Sequence, residues 1–183
     1  VLNAGNPQDG EDVMVVGLGG VGMSAVLTAA GLGKGRVIGV DRTTSKFGRA
    51  LDMGATEVYT IDEALAKGIK APIVIEAAGA PSALDNAFNL TDVGGKTVTV
   101  GFPKPTVKAA FTTATITGEA RTIMGSYLGS AVPTVDIPKY AQMWLDGKLP
   151  VEKLISHHIR LDDINEAMDE LDQGRALRQV IEF

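Results

Sequence analysis

The chain contains no cysteine among its 183 residues. That absence excludes disulfide bonds, catalytic thiols and thiolate ligands for a metal. Histidine is nearly absent as well, since the only two are His157 and His158, next to each other in the sequence. Neighbouring residues of a strand point to opposite faces, so we expect an exposed or edge-strand pair and not a shared metal site. We therefore predict no metal-binding residue in this chain.

Long hydrophobic runs are also missing, because no apolar stretch approaches the roughly 20 residues that span a bilayer. We expect no secretory signal sequence at the start of the chain, and its net charge is −5 without a basic cluster. We expect a cytoplasmic protein with neither a membrane nor a nucleic acid as partner. The chain starts at Val1 without methionine, and residues 1–4 resemble part of a helix. We interpret that start as a cut edge within a longer polypeptide.

Glycine, by contrast, is abundant at 22 residues, and three glycines form one motif after an apolar strand at residues 13–16. Gly17, Gly19 and Gly22 give the pattern G-x-G-x-x-G, and Asp41 follows nineteen residues later at the end of the next apolar run. The first glycine suits a tight turn, the second lets the backbone approach a pyrophosphate, and the third lets helix and strand pack closely. A helix starting near Gly20 would direct its positive end at the phosphates. This combination is typical of dinucleotide-binding proteins.

Apolar strands and amphipathic helices alternate through the first two thirds of the chain. Six strands are predicted, at residues 13–16, 36–40, 57–59, 73–76, 97–100 and 122–125, with helices after the glycine motif and at residues 45–53, 61–67 and 82–90. This alternation predicts a doubly wound α/β fold of the Rossmann type, with a parallel six-stranded sheet in the order 3-2-1-4-5-6.

The remainder of the chain is less regular. We predict a helix at residues 137–145, with Asp136 as its cap and Pro138 in its first turn, and a second at 164–171 capped by Asp162. A terminal strand covers residues 179–183. Tyr127, Ser126 and Ser130 follow strand six, but no Ser–His–Asp or Tyr–Lys arrangement accompanies them, so we predict no catalytic residue in this chain.

The charges near strand two indicate the kind of dinucleotide. Asp41 can accept hydrogen bonds from both ribose hydroxyls of NAD and would repel the 2′-phosphate of NADP. Arg42 leaves the alternative open, since an arginine at this place can accommodate that phosphate. Lys46 could reach the same ribose, although a surface lysine in the first turn of a helix is an equal interpretation. Arg178, just before the terminal strand, could pair with the pyrophosphate.

Several segments together resemble the medium-chain, zinc-containing alcohol dehydrogenases. They are the glycine motif at 15–22, Ile38-Gly39-Val40-Asp41, Lys46-Phe47, Met53-Gly54-Ala55-Thr56, Ile75-Glu76-Ala77-Ala78-Gly79, Val100-Gly101, the run at 162–168, and Gly174, Arg178 and the tail at 180–183. The resemblance covers nearly the whole chain in the same order. It implies a Rossmann domain at residues 1–147 and a segment at 148–183 that returns to a GroES-like catalytic domain.

The resemblance also implies roles for single residues. Asp41 and Lys46 would hold the adenosine ribose, Ala78 would pack near adenine, and Arg178 would meet the pyrophosphate. The backbone around Val100 and the segment 126–128 would receive the nicotinamide carboxamide. The predicted cofactor-binding set is Gly17, Gly19, Gly20, Val21, Gly22, Asp41, Arg42, Lys46, Ala78, Val100, Gly101, Ser126, Leu128 and Arg178.

The catalytic zinc of that family is held by Cys and His residues upstream of the segment that matches Val1, and the chain has none of them. The resemblance therefore implies the NAD-binding portion of an enzyme that oxidises an alcohol or reduces an aldehyde, inactive by itself. Two alternatives stay open: a zinc-free relative of the quinone reductases and a non-catalytic NAD(H)-binding redox sensor. We also expect a homodimer or larger homo-oligomer, because the terminal strand and residues 113–117 are edges that intact relatives bury.

Overall fold

The computed structural model describes residues 1–183 and contains a six-stranded and a two-stranded β-sheet. The larger sheet is parallel throughout and has the order β3-β2-β1-β4-β5-β6. The predicted Rossmann fold and its strand order are thus confirmed. Its strands are β1 (Val13–Val16), β2 (Val37–Asp41), β3 (Glu57–Thr60), β4 (Ala71–Glu76), β5 (Thr91–Thr99) and β6 (Thr122–Gly125).

Helices connect the strands and cover both faces of this sheet. They are α1 (Gly20–Leu32), α2 (Phe47–Asp52), α3 (Ile61–Ala66), α4 (Ala83–Asn89), α5 (Thr113–Gly118), α6 (Pro133–Leu145) and α7 (Ile164–Asp172). No helix combines the length and the hydrophobicity needed to cross a membrane.

Strand β1 is apolar at every position because both of its faces are buried. In β1, Val13 and Val15 belong to one core cluster, whereas Met14 and Val16 belong to the other. All four side chains are at most 2% exposed. Burying a side chain of this size contributes about 1.5–3 kcal/mol to folding, so the central strands carry much of the stability of the fold.

The last part of the chain forms the smaller sheet, in which β7 (Ile155–Ile159) pairs in parallel with β8 (Arg178–Ile181). Helix α7 provides the crossover between these two strands. Leu149 and Leu177 are buried in the same core cluster as the inner face of α1. The segment 148–183 therefore packs directly on the Rossmann core.

The prediction for the start of α6 is wrong. The helix begins at Pro133, with Val132 as its N-cap, so Asp136 lies within its first turn and Pro138 in its interior. Proline is favoured at the first helical position because its missing N–H would be unpaired there and its φ is already helical. Asp136 is buried, and its carboxylate accepts a hydrogen bond from the Val132 N–H at 2.7 Å.

Residues 113–117 are not the edge segment that we expected, because they form α5. Parallel neighbours such as β5 and β6 require a crossover connection, and α5 is part of that connection. The helix leads into Arg121, whose buried guanidinium donates a hydrogen bond to the carbonyl of Phe88 at 2.6 Å.

Three smaller predictions also need correction. Asp162 does not cap α7, since it lies in a short 3-10 turn and Asp163 occupies the N-cap position. Strand β5 starts six residues earlier than predicted, because Thr91 pairs with Ala71 before the register shifts. Residues 2–5 form a turn, so the partial helix predicted at residues 1–4 is absent.

Candidate functional site

A cleft of about 230 Å³ opens where β1, β2 and β4 end. Parallel strands bring their carboxyl ends to one edge, and the register places Val16 beside both Val40 and Glu76 there. The position is the switch point of the strand order, at which open α/β sheets bind ligands. Six predicted residues line this first cleft: Gly17, Gly19, Asp41, Arg42, Lys46 and Ala78.

The glycine-rich turn is as tight as its sequence predicts. Gly17 has φ +95°, and a Cβ on it would lie 2.7 Å from Ala78. A Cβ on Gly22 would lie only 1.7 Å from the carbonyl oxygen of Gly17. Around Gly19, in contrast, the space that a Cβ would occupy is free of other atoms. The turn thus packs closely against the rest of the protein at Gly17 and Gly22, and its backbone is accessible at Gly19.

Helix α1 starts directly after this turn without a side-chain cap. Gly19 is the N-cap, it makes no side-chain capping bond, and the first helical turn contains no acidic residue. The first N–H groups of a helix lack intrahelical partners and carry the positive end of its dipole. The arrangement can therefore accept an anionic group at the mouth of the turn.

Asp41 is held in place by the backbone around it. Its Oδ2 accepts the N–H of Leu18 at 2.8 Å, and its Oδ1 accepts the N–H of Thr43 at 3.2 Å. The Lys46 Nζ lies 3.8 Å from Oδ2. The side chain of Asp41 is 12% exposed, so the carboxylate forms a fixed acceptor at one end of the first cleft.

A second buried carboxylate, Glu76, was not among the predicted site residues. Its Oε1 accepts the N–H groups of Ala78 at 2.8 Å and Gly79 at 2.7 Å, and its Oε2 accepts the hydroxyl of Thr99 at 2.6 Å. Glu76 is 2% exposed and so joins the turn after β4 to the end of β5. The sequence signal was the same as for Asp41, a single acid closing an apolar strand.

A second cleft, of about 380 Å³, lies on the other side of the first turn of α1. It is largely apolar, and Val21 from α1 and Val100 after β5 line it together with Gly129 and Tyr140. Gly101 packs against the turn after β4, because a Cβ there would lie 2.5 Å from the Gly79 nitrogen. The predicted residues around Val100 are thus brought to the same edge of the sheet as the glycine-rich turn.

Arg178 reaches the glycine-rich turn from the smaller sheet. Its Nη1 would lie 2.8 Å from a Cβ at Gly20 and donates a hydrogen bond to the carbonyl of Leu177 at 3.1 Å. The side chain is exposed. A cation thus stands beside the amino end of α1.

The other predicted residues lie near the clefts without lining them. Ser126 is buried, and its N–H donates to the carbonyl of Thr99 at 2.9 Å. Leu128 is 78% exposed and precedes Gly129 of the second cleft. The first cleft also has lining residues that the sequence did not single out: Ile61, Ser82 and Asn86. No spacing rule pointed to them, because helices α3 and α4 bring them in.

The two histidines form the exposed pair that we predicted. His157 lies 3.7 Å from Glu170 and His158 lies 2.8 Å from Glu182, so they have different partners. Residues 1–183 contain no group of three or more His, Cys, Asp or Glu side chains that could hold a metal ion. The residues of this chain do not fit a zinc site.

The profile of the zinc-binding dehydrogenase family matches residues 20–145. This chain belongs to that family. The matched range starts within the glycine-rich turn, at Gly20, and contains both strand-end carboxylates and the segment after β6.

Curated alcohol dehydrogenases are identical to the chain at about a third of the aligned positions. Alcohol dehydrogenase 1 of Trifolium repens is 31% identical over 191 residues, which cover 98% of this chain and 50% of that protein. The NDMA-dependent alcohol dehydrogenase of Amycolatopsis methanolica is 31% identical over 188 residues, covering 97% of this chain and 51% of that protein. The chain spans about half the length of the curated relatives it matches.

Solved structures show the same architecture. Benzyl alcohol dehydrogenase from Acinetobacter calcoaceticus superimposes with a TM-score of 0.91 at 27% identity, covering 100% of this chain and 52% of that one. A short chain alcohol dehydrogenase from E. coli CFT073, complexed with the cofactor NADH, gives a TM-score of 0.86 at 26% identity, covering 98% of this chain and 54% of that one.

Proposed function

We propose that this zinc-binding dehydrogenase chain binds NAD(H) and forms the coenzyme-binding portion of an alcohol dehydrogenase. The observation that carries the proposal is the pair of clefts on either side of the glycine-rich turn, with a fixed carboxylate at the outer end of one. A dinucleotide has two nucleoside halves joined by a diphosphate, so its shape matches two clefts separated by an anion-binding turn.

The diphosphate would lie at the amino end of α1. Gly19 leaves room for the phosphate oxygens, and the unpaired N–H groups of the first helical turn point to that room. Arg178 stands beside Gly20 and can donate two parallel hydrogen bonds to phosphate oxygens.

The adenosine would lie in the first cleft, where Asp41 accepts hydrogen bonds from its ribose. We propose NAD and not NADP as the coenzyme, because a 2′-phosphate would approach a carboxylate that two backbone N–H groups hold in place. Arg42 is exposed and can turn towards the solvent. The relative solved with NADH supports the same choice.

The nicotinamide would lie in the second cleft, beside Val21 and Val100, with the backbone at 126–128 near its carboxamide. A largely apolar lining suits the nicotinamide ring and limits the access of water to it. When bound, the nicotinamide accepts or supplies the hydride. The chain would orient the nicotinamide ring by contacts with Val21 and Val100 in the second cleft.

We propose that the zinc ligands and most of the substrate pocket belong to the part of the parent protein that this chain does not span. The relatives are about twice as long, and residues 1–183 do not fit a zinc site. In the parent enzyme, residues 1–147 would form the Rossmann domain and 148–183 would contact the catalytic domain. The substrate would be an alcohol or an aldehyde, as the names of the relatives state for those proteins.

We also propose that the chain associates with itself. Strand β6 is the outer strand of the larger sheet, its other edge has no partner, and Met124 on it is 39% exposed. An unpaired edge favours pairing with a second chain. Light scattering should show a species larger than one chain, and a strictly monomeric result would contradict this part of the proposal.

Isothermal titration with NADH, NADPH and ADP-ribose tests the coenzyme proposal. We expect binding of NADH and ADP-ribose and much weaker binding of NADPH. We also expect no alcohol oxidation by this chain, with or without added zinc. A chain that binds none of the three ligands would overturn the coenzyme site, and zinc-dependent turnover would overturn the assignment of the metal to the rest of the parent.

A further inference from the structure

The segment between β6 and α6 has an unusual backbone. Leu128, Gly129 and Ser130 have φ of 48°, 69° and 51°, so three successive residues are left-handed. Only glycine adopts this region without cost, and two of the three residues carry side chains. Such a conformation persists only where the surrounding structure determines it.

The side chain of Asn3 helps to stabilise this left-handed segment. Its Nδ2 donates to the carbonyl of Ser130 at 3.3 Å and lies 3.5 Å from the carbonyl of Gly129. The same Nδ2 lies 3.3 Å from Oδ2 of Asp136. Because an amide nitrogen carries two hydrogens, it can serve the left-handed segment and the carboxylate together.

Asp136 binds both Asn3 and the backbone that follows the left-handed segment. Its Oδ2 also accepts the N–H of Val132, two residues after the left-handed segment. Asp136 is 8% exposed, so its carboxylate is largely shielded from water. One buried oxygen thus orients Asn3 and ties the exit of the segment to α6.

Tyr140 lies next to this cluster, one turn further along α6. Burial, with a smaller contribution from the charge of Asp136, raises the pKa of Tyr140 above its usual value. The phenol therefore stays neutral near neutral pH and adds no second negative charge beside Asp136. Tyr140, Asn3 and Gly129 line the second cleft together.

We propose that Asn3 and Asp136 are positioning residues that hold residues 128–130 in the shape that the second cleft needs to receive the nicotinamide. The inference rests on the proposed function, because it assigns that cleft to the nicotinamide half of the coenzyme. A carboxamide both donates and accepts hydrogen bonds, so its recognition by a backbone segment requires carbonyl and N–H groups at fixed places. The two residues act through that segment and through no direct contact with the adenosine half.

The test compares two ligands that differ only in the nicotinamide. NADH contains it, and ADP-ribose lacks it. In the 183-residue chain, Asn3→Ala should weaken NADH binding about 10-fold and change ADP-ribose binding less than about twofold. Gln8→Ala, which removes an exposed amide from the same terminal segment, should change neither affinity. The emission of bound NADH should also shift towards that of free NADH in Asn3→Ala.

A second pair of variants tests the carboxylate. Asp136→Ala should reproduce the selective loss of NADH affinity, and Asp136→Asn should restore most of it because it retains one acceptor oxygen. Thermal unfolding shows which variants fold. If Asp136→Ala does not fold, Asn3→Ala decides, since Asn3 is exposed and its loss leaves the core intact.

The outcomes separate this inference from the coenzyme assignment. If the unaltered chain binds neither ligand, the coenzyme site fails and the inference fails with it. If it binds both, the inference is overturned by unchanged NADH affinity in Asn3→Ala, or by equal losses for the two ligands. Equal affinity of the unaltered chain for NADH and ADP-ribose would also overturn it, because the second cleft would then contribute nothing.

Discussion

Replacement of Asp41 by serine should change the coenzyme preference of the chain. A carboxylate has about four acceptor positions, and the N–H groups of Leu18 and Thr43 occupy two of them. The remaining two match the two hydroxyls of one ribose. Each hydrogen bond to a charged acceptor contributes about 1.5–3 kcal/mol. Serine can restore one weaker bond, so we expect Asp41→Ser to bind NADH about 100-fold more weakly.

The effect on NADPH should have the opposite sign. Two unit charges 4 Å apart interact by about 4 kcal/mol at the effective dielectric constant near a protein surface. A 2′-phosphate carries a charge of about −1.5 to −2, so its repulsion by Asp41 is at least that large before the nearby cations offset part of it. Removal of the carboxylate should leave Arg42 and Lys46 as partners for the phosphate. The ratio of the two dissociation constants should therefore shift by about 1000-fold towards NADPH.

Isothermal titration with both coenzymes measures this ratio directly. Asp62→Asn is the matched control, because it removes one negative charge from an exposed site at the start of α3, outside the lining of the first cleft. The control should leave the ratio within about threefold of the unaltered chain. A ratio that Asp41→Ser does not change, or that Asp62→Asn changes equally, would show that Asp41 does not contact the ribose.

Three further replacements test other parts of the site. Arg178→Ala should weaken NADH and ADP-ribose equally, about 10-fold, and flatten the salt dependence of binding, whereas Arg175→Ala should not; a loss for only one ligand would contradict a contact with the diphosphate. Glu76→Gln should lower stability by about 1–3 kcal/mol in denaturant unfolding, because a neutral amide oxygen accepts the N–H groups of Ala78 and Gly79 more weakly than a carboxylate does; an unchanged midpoint would refute this. Gly17→Ala should destabilise the chain by more than about 2 kcal/mol, owing to its positive φ and a contact of 2.7 Å, while Gly48→Ala, with free space around it, should be neutral or stabilising.

The Rossmann sheet could be predicted from local sequence patterns, because each strand and turn is marked by a few consecutive residues. The run 13–16 is apolar at every position since both faces of β1 are buried, and the glycines after it report a turn that excludes side chains. Asp41 was visible for the same reason, as a charge at the end of such a run. The structural surroundings of these residues can therefore be predicted from the few residues next to them in the sequence.

Other features depend on contacts between distant residues and could not be predicted in that way. Asp136 looked like a helix cap, yet one of its two hydrogen-bond partners is Asn3, which lies 133 residues away. Residues 113–117 are rich in β-branched side chains, but the crossover between two parallel strands makes them helical. Glu76 showed the right signal and was missed because its partners are two backbone N–H groups of the turn after β4 and the hydroxyl of Thr99 at the end of β5.

Arg178 belongs to the smaller sheet, but its guanidinium lies over the turn of the larger one. A diphosphate bound there would contact both sheets, so part of its binding free energy would protect β8 against local opening. Linkage is reciprocal, and any macromolecule that contacts β8 or α7 and shifts this arginine would alter coenzyme affinity by the same factor. Slower amide hydrogen exchange in residues 178–181 on addition of ADP-ribose would therefore show that the diphosphate occupies the glycine-rich turn.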